Sequence, residues 1–385
     1  MTKYSFRELV IDARTGLNPR KNFTLGNGNN YYITIKDIHD GKIIISDKTD
    51  RIDDAAIAMI KKRSRIKNGD ILFTSIGRIG ETAIVTDKND TWDVNESVFV
   101  FTLDTKIITQ EYFCALMLSE GVQERLQKDS SGSTFKSIKM NQLERMTFNV
   151  PPINIQQEIT EKLSHIRELI LDRQEQLVLF DDLIKSRFIE MFGDPVSNPF
   201  RWSTLTMKQA SIRLSDGPFG SNLKSEHYTD EGVRVIRLGN IGCGYFNDED
   251  QSYISPEHYA TIKKYTCRAG EIVIATLGDP NLRACIVPDH IEYGVNKSDC
   301  VHYIPKAEIL NNQFVCQYIN CPETLSLASG MVHGQTRSRI SSGQLADLPI
   351  YLPPMDLQQQ FAAFVEQTDK SKYHGETTCE MEVAA

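Results

Sequence analysis

Five short stretches concentrate the side chains that hydrogen-bond to base edges and phosphates: 75–82 (SIGRIGET), 130–137 (SSGSTFKS), 217–225 (GPFGSNLKS), 278–283 (GDPNLR) and 333–339 (HGQTRSR). Each sets glycine or serine beside Arg, Lys, Asn, Gln or Thr, the donors and acceptors needed at loop tips to read a DNA groove. The candidate contacts are Ser75, Arg78, Ser133, Thr134 and Lys136 in the first half of the chain. In the second half they are Ser221, Asn222, Lys224, Arg283, Gln335, Thr336, Arg337 and Arg339. Solvated turn chemistry is the competing reading for Ser75, Arg78, Ser133, Thr134 and Lys136, and packing against the domain or pairing with acidic neighbours is the competing reading for Arg337 and Arg339. Arg337 and Arg339 alternate with Ser338, so in an extended loop both guanidiniums point one way, one able to fork onto guanine and the other onto phosphate. The run KKRSRIK at 61–67 reads as a solvated basic face.

Other chemistries lack their residues. Gly77 and Gly80 read as a turn between strands, because no Walker lysine-hydroxyl pair follows them. The Pro-Pro pairs at 151–152 and 353–354 are followed by Ile153 and Met355, which do not fit the Asn/Asp-Pro-Pro-aromatic motif of an adenine methyltransferase. The PDH at 288–290 has no Glu-x-Lys partner of the kind a nuclease uses. The 8 cysteines form no CxxC pair and seven lie after residue 240, so neither zinc nor a disulfide framework is indicated. No window reaches the ~18 apolar residues of a membrane span, and no signal-like segment opens the chain, so a cytoplasmic protein with reduced thiols is expected. The net charge of −8 argues, taken alone, against nucleic acid. A two-lobed chain can nevertheless carry local basic loops or borrow positive charge from a partner.

The elements that would position these tips come twice. At a shift of 201–203 residues, YITIKDIHDG (32–41) lies against VIRLGNIGCG (235–244), GDILFTSIG (69–77) against GEIVIATLG (270–278), and VNES (94–97) against VNKS (295–298). VPPINIQQEI (150–159) likewise lies against LPPMDLQQQF (352–361). The chain of 385 residues is a tandem duplication, each copy an α+β globular part followed by a helix. The apolar runs DILFTSI and EIVIATL, each followed by glycines and a further apolar run, read as hairpins or adjacent strand pairs.

The repeated Pro-Pro phrase reads as a helix start. Asn154 and Asp356 are expected to cap it, with Gln157 and Gln359 completing a capping-box-like pair. Ile159, Leu163, Ile166, Ile170, Leu177, Phe180, Ile184 and Met191 follow a 4-3 spacing interrupted by Arg173 and Arg187, the seam of an antiparallel coil. The helix should end at Gly193 and Pro195 after about 38 residues, or ~55 Å.

These features resemble the specificity subunit of type I restriction-modification systems. The resemblance covers residues 1 to about 372 and is carried by DGPFGSNLKSEHY…GVRVIRLGNI (216–241), the two glycine-bounded strands and both Pro-Pro helix starts. It implies an α+β protein with target-recognition domains at 1–150 and 193–352, a central coiled-coil helix at 151–192 and a second helix at 353–372. It also implies double-stranded DNA as ligand, one domain reading each half of a split target, and methyltransferase subunits as partners, two of them, with restriction or translocase subunits as further candidates. Such a chain has no catalytic residues, no metal and no cofactor of its own, S-adenosylmethionine being held by the methyltransferase. A coiled-coil scaffold without sequence-specific DNA binding is the alternative. The sequence departs from the family pattern after Lys372: the segment 373–385, with Gly375 and two threonines, is expected to be an irregular tail. The second helix would then be truncated at ~25 Å, leaving Leu177, Phe180 and Ile184 without an intramolecular cover.

Overall fold

The computed structural model describes residues 1–20, 22–130, 136–329 and 339–384, the stretch 373–384 by its backbone alone. The chain divides into two compact units, Met1–Leu169 and Ile170–Ala385.

In the first unit the apolar run Ile71–Thr74 is buried on both faces, which places it inside a sheet. It pairs antiparallel with Thr82–Ile84 on one side and Val98–Leu103 on the other, and Val98–Leu103 pairs in turn with the edge strand Val10–Thr15. The expected hairpin is thus present. Phe6, Phe73, Phe99, Phe101 and Phe113 fill the core beneath, with Phe6 edge-on to Phe101 at 5.2 Å. A second sheet sets Asn30–Ile33 between Asp50–Ile52 and Trp92–Val94. Thr2–Ser5 pairs with Thr147–Val150, so the domain's two ends meet where the long helix begins.

The second unit repeats this plan. Ile272–Ala275 lies between Arg283–Ile286 and Cys300–Pro305, with Ser211–Ser215 at the edge. The register repeats too: Val98 faces Thr74 in the first unit and Cys300 faces Ala275 in the second. Thr204–Thr206 pairs with Pro349–Tyr351 to close the domain ahead of its own helix.

The first long helix runs Ile153–Phe192, 40 residues or ~60 Å, and ends as expected at Gly193, whose φ of +79° is left-handed. Its start corrects the capping assignment. The Pro152 carbonyl accepts from the N–H groups of Ile155 and Gln156, and that of Pro354 from Leu357 and Gln358, so Asn154 and Asp356 already lie inside their helices. Gln157 and Gln359 are exposed; the residues that secure the helix starts are their neighbours Gln156 and Gln358, both fully buried.

The second helix spans Met355–Ala384, 30 residues, which corrects the expected end at 372 and the irregular tail. One interior glycine costs about 1 kcal/mol, and Glu376, Glu380, Met381, Glu382 and Ala384 around it are good helix formers. In the second unit it runs antiparallel to the end of the first helix. Phe361 meets Phe188 at 5.4 Å and Phe192 at 5.6 Å, Arg187 lies over Phe364, and further along Lys372 Nζ reaches Asp181 Oδ1 at 2.7 Å. Ile184 is buried in this contact and Leu177 and Phe180 are half-buried, so the expected lack of cover does not hold for Ile184.

Among the described residues no helix is long and apolar enough to cross a membrane, and no group of three or more His, Cys, Asp or Glu is placed to hold a metal.

Candidate nucleic-acid interface

In each unit the hairpin turn between an inner strand and the edge strand that follows it becomes a hub because backbone groups from other segments bond to it. In the first unit the backbone N–H and the hydroxyl of Ser75 both donate to the Ser97 carbonyl, at 2.9 and 2.8 Å, and the Ser75 carbonyl accepts from Ile138 N–H at 2.8 Å. Ile76 bridges Ser137, and Gly77 N–H donates to the Lys136 carbonyl at 3.2 Å. In the second unit Thr276 takes the place of Ser75: its N–H and hydroxyl donate to the Asp299 carbonyl at 3.1 and 3.2 Å, and its carbonyl accepts from Ile340 N–H at 3.0 Å. Leu277 bridges Arg339.

Glycine permits a further close approach in both copies. A Cβ on Gly16 would lie 1.7 Å from the Val94 carbonyl oxygen, and one on Gly217 would lie 2.2 Å from that of Asn296. Gly217 therefore sits on the segment 296–299 that also holds Thr276, and the loop that follows it, with Ser221, Asn222 and Lys224, starts from the hub.

The proposed contacts divide accordingly. Ser75 is buried with its hydroxyl committed to Ser97, which corrects its assignment as a contact: it holds the turn. Arg283 is half-buried and its donors turn inward. Its Nε donates to the Ile241 carbonyl at 2.6 Å, Nη1 to Pro280 at 2.7 Å and Leu277 at 3.1 Å, and Nη2 to Leu238 at 3.0 Å. Arg78 is half-exposed, with Nη1 3.1 Å from Glu81 Oε1 and Nη2 3.2 Å from the Ile38 carbonyl oxygen. Arg339 is also half-exposed and pairs through Nη2 with Asp299 Oδ1 at 2.7 Å, the acidic partner that competes with a phosphate role. Lys136, Ser221, Asn222 and Lys224 are exposed. A ring nitrogen of His258 lies 2.9 Å from the Asn222 carbonyl oxygen, and Lys224 Nζ is 3.4 Å from Glu226 Oε1. Ser133, Thr134, Gln335, Thr336 and Arg337 lie outside the described residues, in segments that lead into Lys136 and Arg339.

Thiol chemistry is not prepared here. Burial pushes Cys114 up to about 11 and Cys300, Cys316 and Cys321 up to about 12, so these thiols stay protonated at neutral pH.

Sequence reasoning passed over Gln156 and Gln358. The Gln156 side-chain oxygen accepts from Thr109 N–H at 2.9 Å, and its amide donates to the Ile107 and Pro151 carbonyls, each at 2.8 Å. Gln358 repeats all three bonds with Asn311, Ile309 and Pro353. The available signal was glutamine at the same place in both Pro-Pro phrases.

A family model described as the type I restriction modification DNA specificity domain matches residues 8–178 and again 223–381. The specificity subunit of the type I restriction enzyme MjaVIII from Methanocaldococcus jannaschii is 21% identical over 281 residues, which cover 69% of this chain. The chain spans 64% of that relative's length. A solved chain described as the structural basis underlying complex assembly and conformational transition of the type I R-M system has a TM-score of 0.61 at 16% identity, covering 100% of this chain and 94% of that one. The S subunit of a type I restriction-modification system from M. genitalium gives 0.51 at 16% identity, covering 100% and 93%. At such identities the structural likeness establishes the fold, two tandem α+β domains with long helices.

Proposed function

We propose, from the premise that this chain belongs to the type I restriction modification DNA specificity family, that it is the sequence-reading subunit of a methyltransferase complex and has no catalysis of its own. Its ligand is double-stranded DNA with a bipartite target, one half read by each unit. The observation that carries this reading is the hub built twice, with the same backbone bonds, at the end of two sheets of identical register. A scaffold of helices accounts for the rod but not for that duplication.

Two features support dependence on a partner. The formal charge of −8 leaves little attraction for phosphate beyond the loop tips, so the cationic surface a stable DNA complex needs is supplied by another chain. The first helix also leaves Leu171, Val178, Leu179, Leu183 and Ile189 exposed, apolar residues that water does not favour and that a partner's helices would cover. Methyltransferase subunits, two of them, are the partners this reading names, and restriction or translocase subunits a further class. They bring S-adenosylmethionine and flip the adenine out of the duplex.

The purified chain mixed with S-adenosylmethionine and DNA is expected to transfer no methyl group, and addition of its methyltransferase to methylate adenine. Methylation or cleavage by the isolated chain would overturn the assignment.

A further inference from the structure

Arg78 and Arg283 do not occupy equivalent places in the duplication. Arg78 follows Gly77 by one residue and Arg283 follows Gly278 by five; the strand register sets Glu81, not Arg78, against Arg283, and Asp279 follows Gly278 where Arg78 follows Gly77. Their targets nevertheless are equivalent. Arg78 Nη2 lies 3.2 Å from the Ile38 carbonyl oxygen and 3.5 Å from that of Ile35. Arg283 bonds the carbonyls of Ile241 at 2.6 Å and Leu238 at 3.0 Å. The repeat pairs Ile35 with Leu238 and Ile38 with Ile241, the residues that open and follow the 3-10 turns Ile35–Asp37 and Leu238–Asn240. Two arginines that enter from different points of the hairpin turn thus tie the same backbone to it. What the two domains share at this place is the position of the turn, and the side chain that secures it has been supplied twice.

From this we infer that Arg78 and Arg283 are positioning residues for half-site reading: each fixes the 3-10 turn against the hairpin turn and so sets the loop tips of its own domain, without itself touching DNA. The inference rests on the DNA-reading function proposed above. Arg283 spends four N–H groups on carbonyls, and at Gly278 a Cβ would lie 3.0 Å from its Nη1, so the guanidinium is enclosed by the turn it holds. Among the described residues it makes no salt bridge, so its charge stays in the turn as a fixed positive potential. A neutral side chain there removes both the tie and the charge. The consequence is confined to one domain, because each arginine bonds only within its own.

The test uses the complex of the full chain with its methyltransferase, measuring kcat/KM for methylation of a cognate duplex and of duplexes mismatched in one half or the other. Arg283→Ala is expected to lower discrimination in the second half-site about tenfold, through KM, and to leave discrimination in the first unchanged; Arg78→Ala should do the mirror image. Arg283→Lys, which keeps the charge and a donor, should restore part of the loss, and it decides the matter if the alanine variant does not fold. Three results would overturn the inference: affinity falling equally for all sequences with a shallower salt dependence, which marks a direct phosphate contact; discrimination falling in both halves together; or unchanged discrimination in folded variants. A wild-type complex that methylates no bipartite site would instead sink the DNA-reading function itself.

Discussion

Asp70→Ala is expected to cost the first unit about 3 kcal/mol, because it takes from a buried guanidinium its one buried carboxylate and leaves it only the half-exposed Asp12, whose Oδ2 is 3.5 Å from Arg14 Nε. The Arg14 and Asp70 side chains are 4% and 2% exposed, with Arg14 Nη2 2.8 Å from Asp70 Oδ2. The same carboxylate accepts from Lys67 N–H at 2.8 Å and from the Thr102 hydroxyl at 2.5 Å, while Arg14 Nη1 donates to the Arg65 carbonyl at 2.7 Å. This network joins the edge strand Val10–Thr15 to the strand beside it and to the turn that precedes Ile71. Removing the carboxylate leaves Lys67 N–H and the Thr102 hydroxyl without their acceptor and the cation with Thr102 Oγ1 at 2.6 Å and the more distant Asp12 Oδ2 at 3.5 Å. Replacing both partners by apolar residues of similar volume, Arg14→Met with Asp70→Leu, should recover much of the loss, since the penalty belongs to the unpaired charge and not to the missing attraction. Chemical denaturation of the full chain, followed by a probe in the first unit, measures both. A cost for Asp70→Ala under 1 kcal/mol would show that water reaches Arg14.

The second large effect belongs to the paired glutamines. Gln156→Ala leaves Thr109 N–H and the carbonyls of Ile107 and Pro151 without partners, and Gln358→Ala does the same to Asn311, Ile309 and Pro353. A buried polar group left unsatisfied costs about 1–3 kcal/mol, and water entering the space recovers a part, so each variant should lose about 3 kcal/mol in its own unit. Gln156→Glu should be worse than alanine, because a carboxylate cannot donate to the two carbonyls it would face. Amide exchange at 153–157 should quicken in Gln156→Ala and that at 355–359 in Gln358→Ala. Protection unchanged in both would mean that the helix starts are held by the Pro-Pro phrase alone.

The architecture was legible because it is written in apolar periodicity and in repetition. The strands at Ile71 and Ile272 are continuous apolar runs, the rod is a 4-3 stripe ended by Gly193 and Pro195, and the duplication fixes which segments correspond. The hub was less legible. Ser75, Arg78, Arg283 and Arg339 stand out in the sequence as polar residues in glycine-containing stretches. Their partners, however, lie 22 residues away for Ser75 at Ser97, 40 for Arg78 at Ile38, and 42 and 45 for Arg283 at Ile241 and Leu238. No local pattern separates a guanidinium that reaches outward from one that closes on backbone. The same distance hid Gln156, whose partners Ile107 and Thr109 precede it by 49 and 47 residues. Capping rules look only one turn along the helix and therefore selected its exposed neighbour.

The central claim is that two equivalent hubs read two halves of one target. It is tested most directly by mapping modified adenines across a genome for the complex of this chain with its methyltransferase, before and after residues 1–150 are exchanged for the matching domain of a relative. The account predicts a bipartite motif in which one half changes and the other half and the gap persist. Both halves changing together, or a motif with no gap, would contradict it.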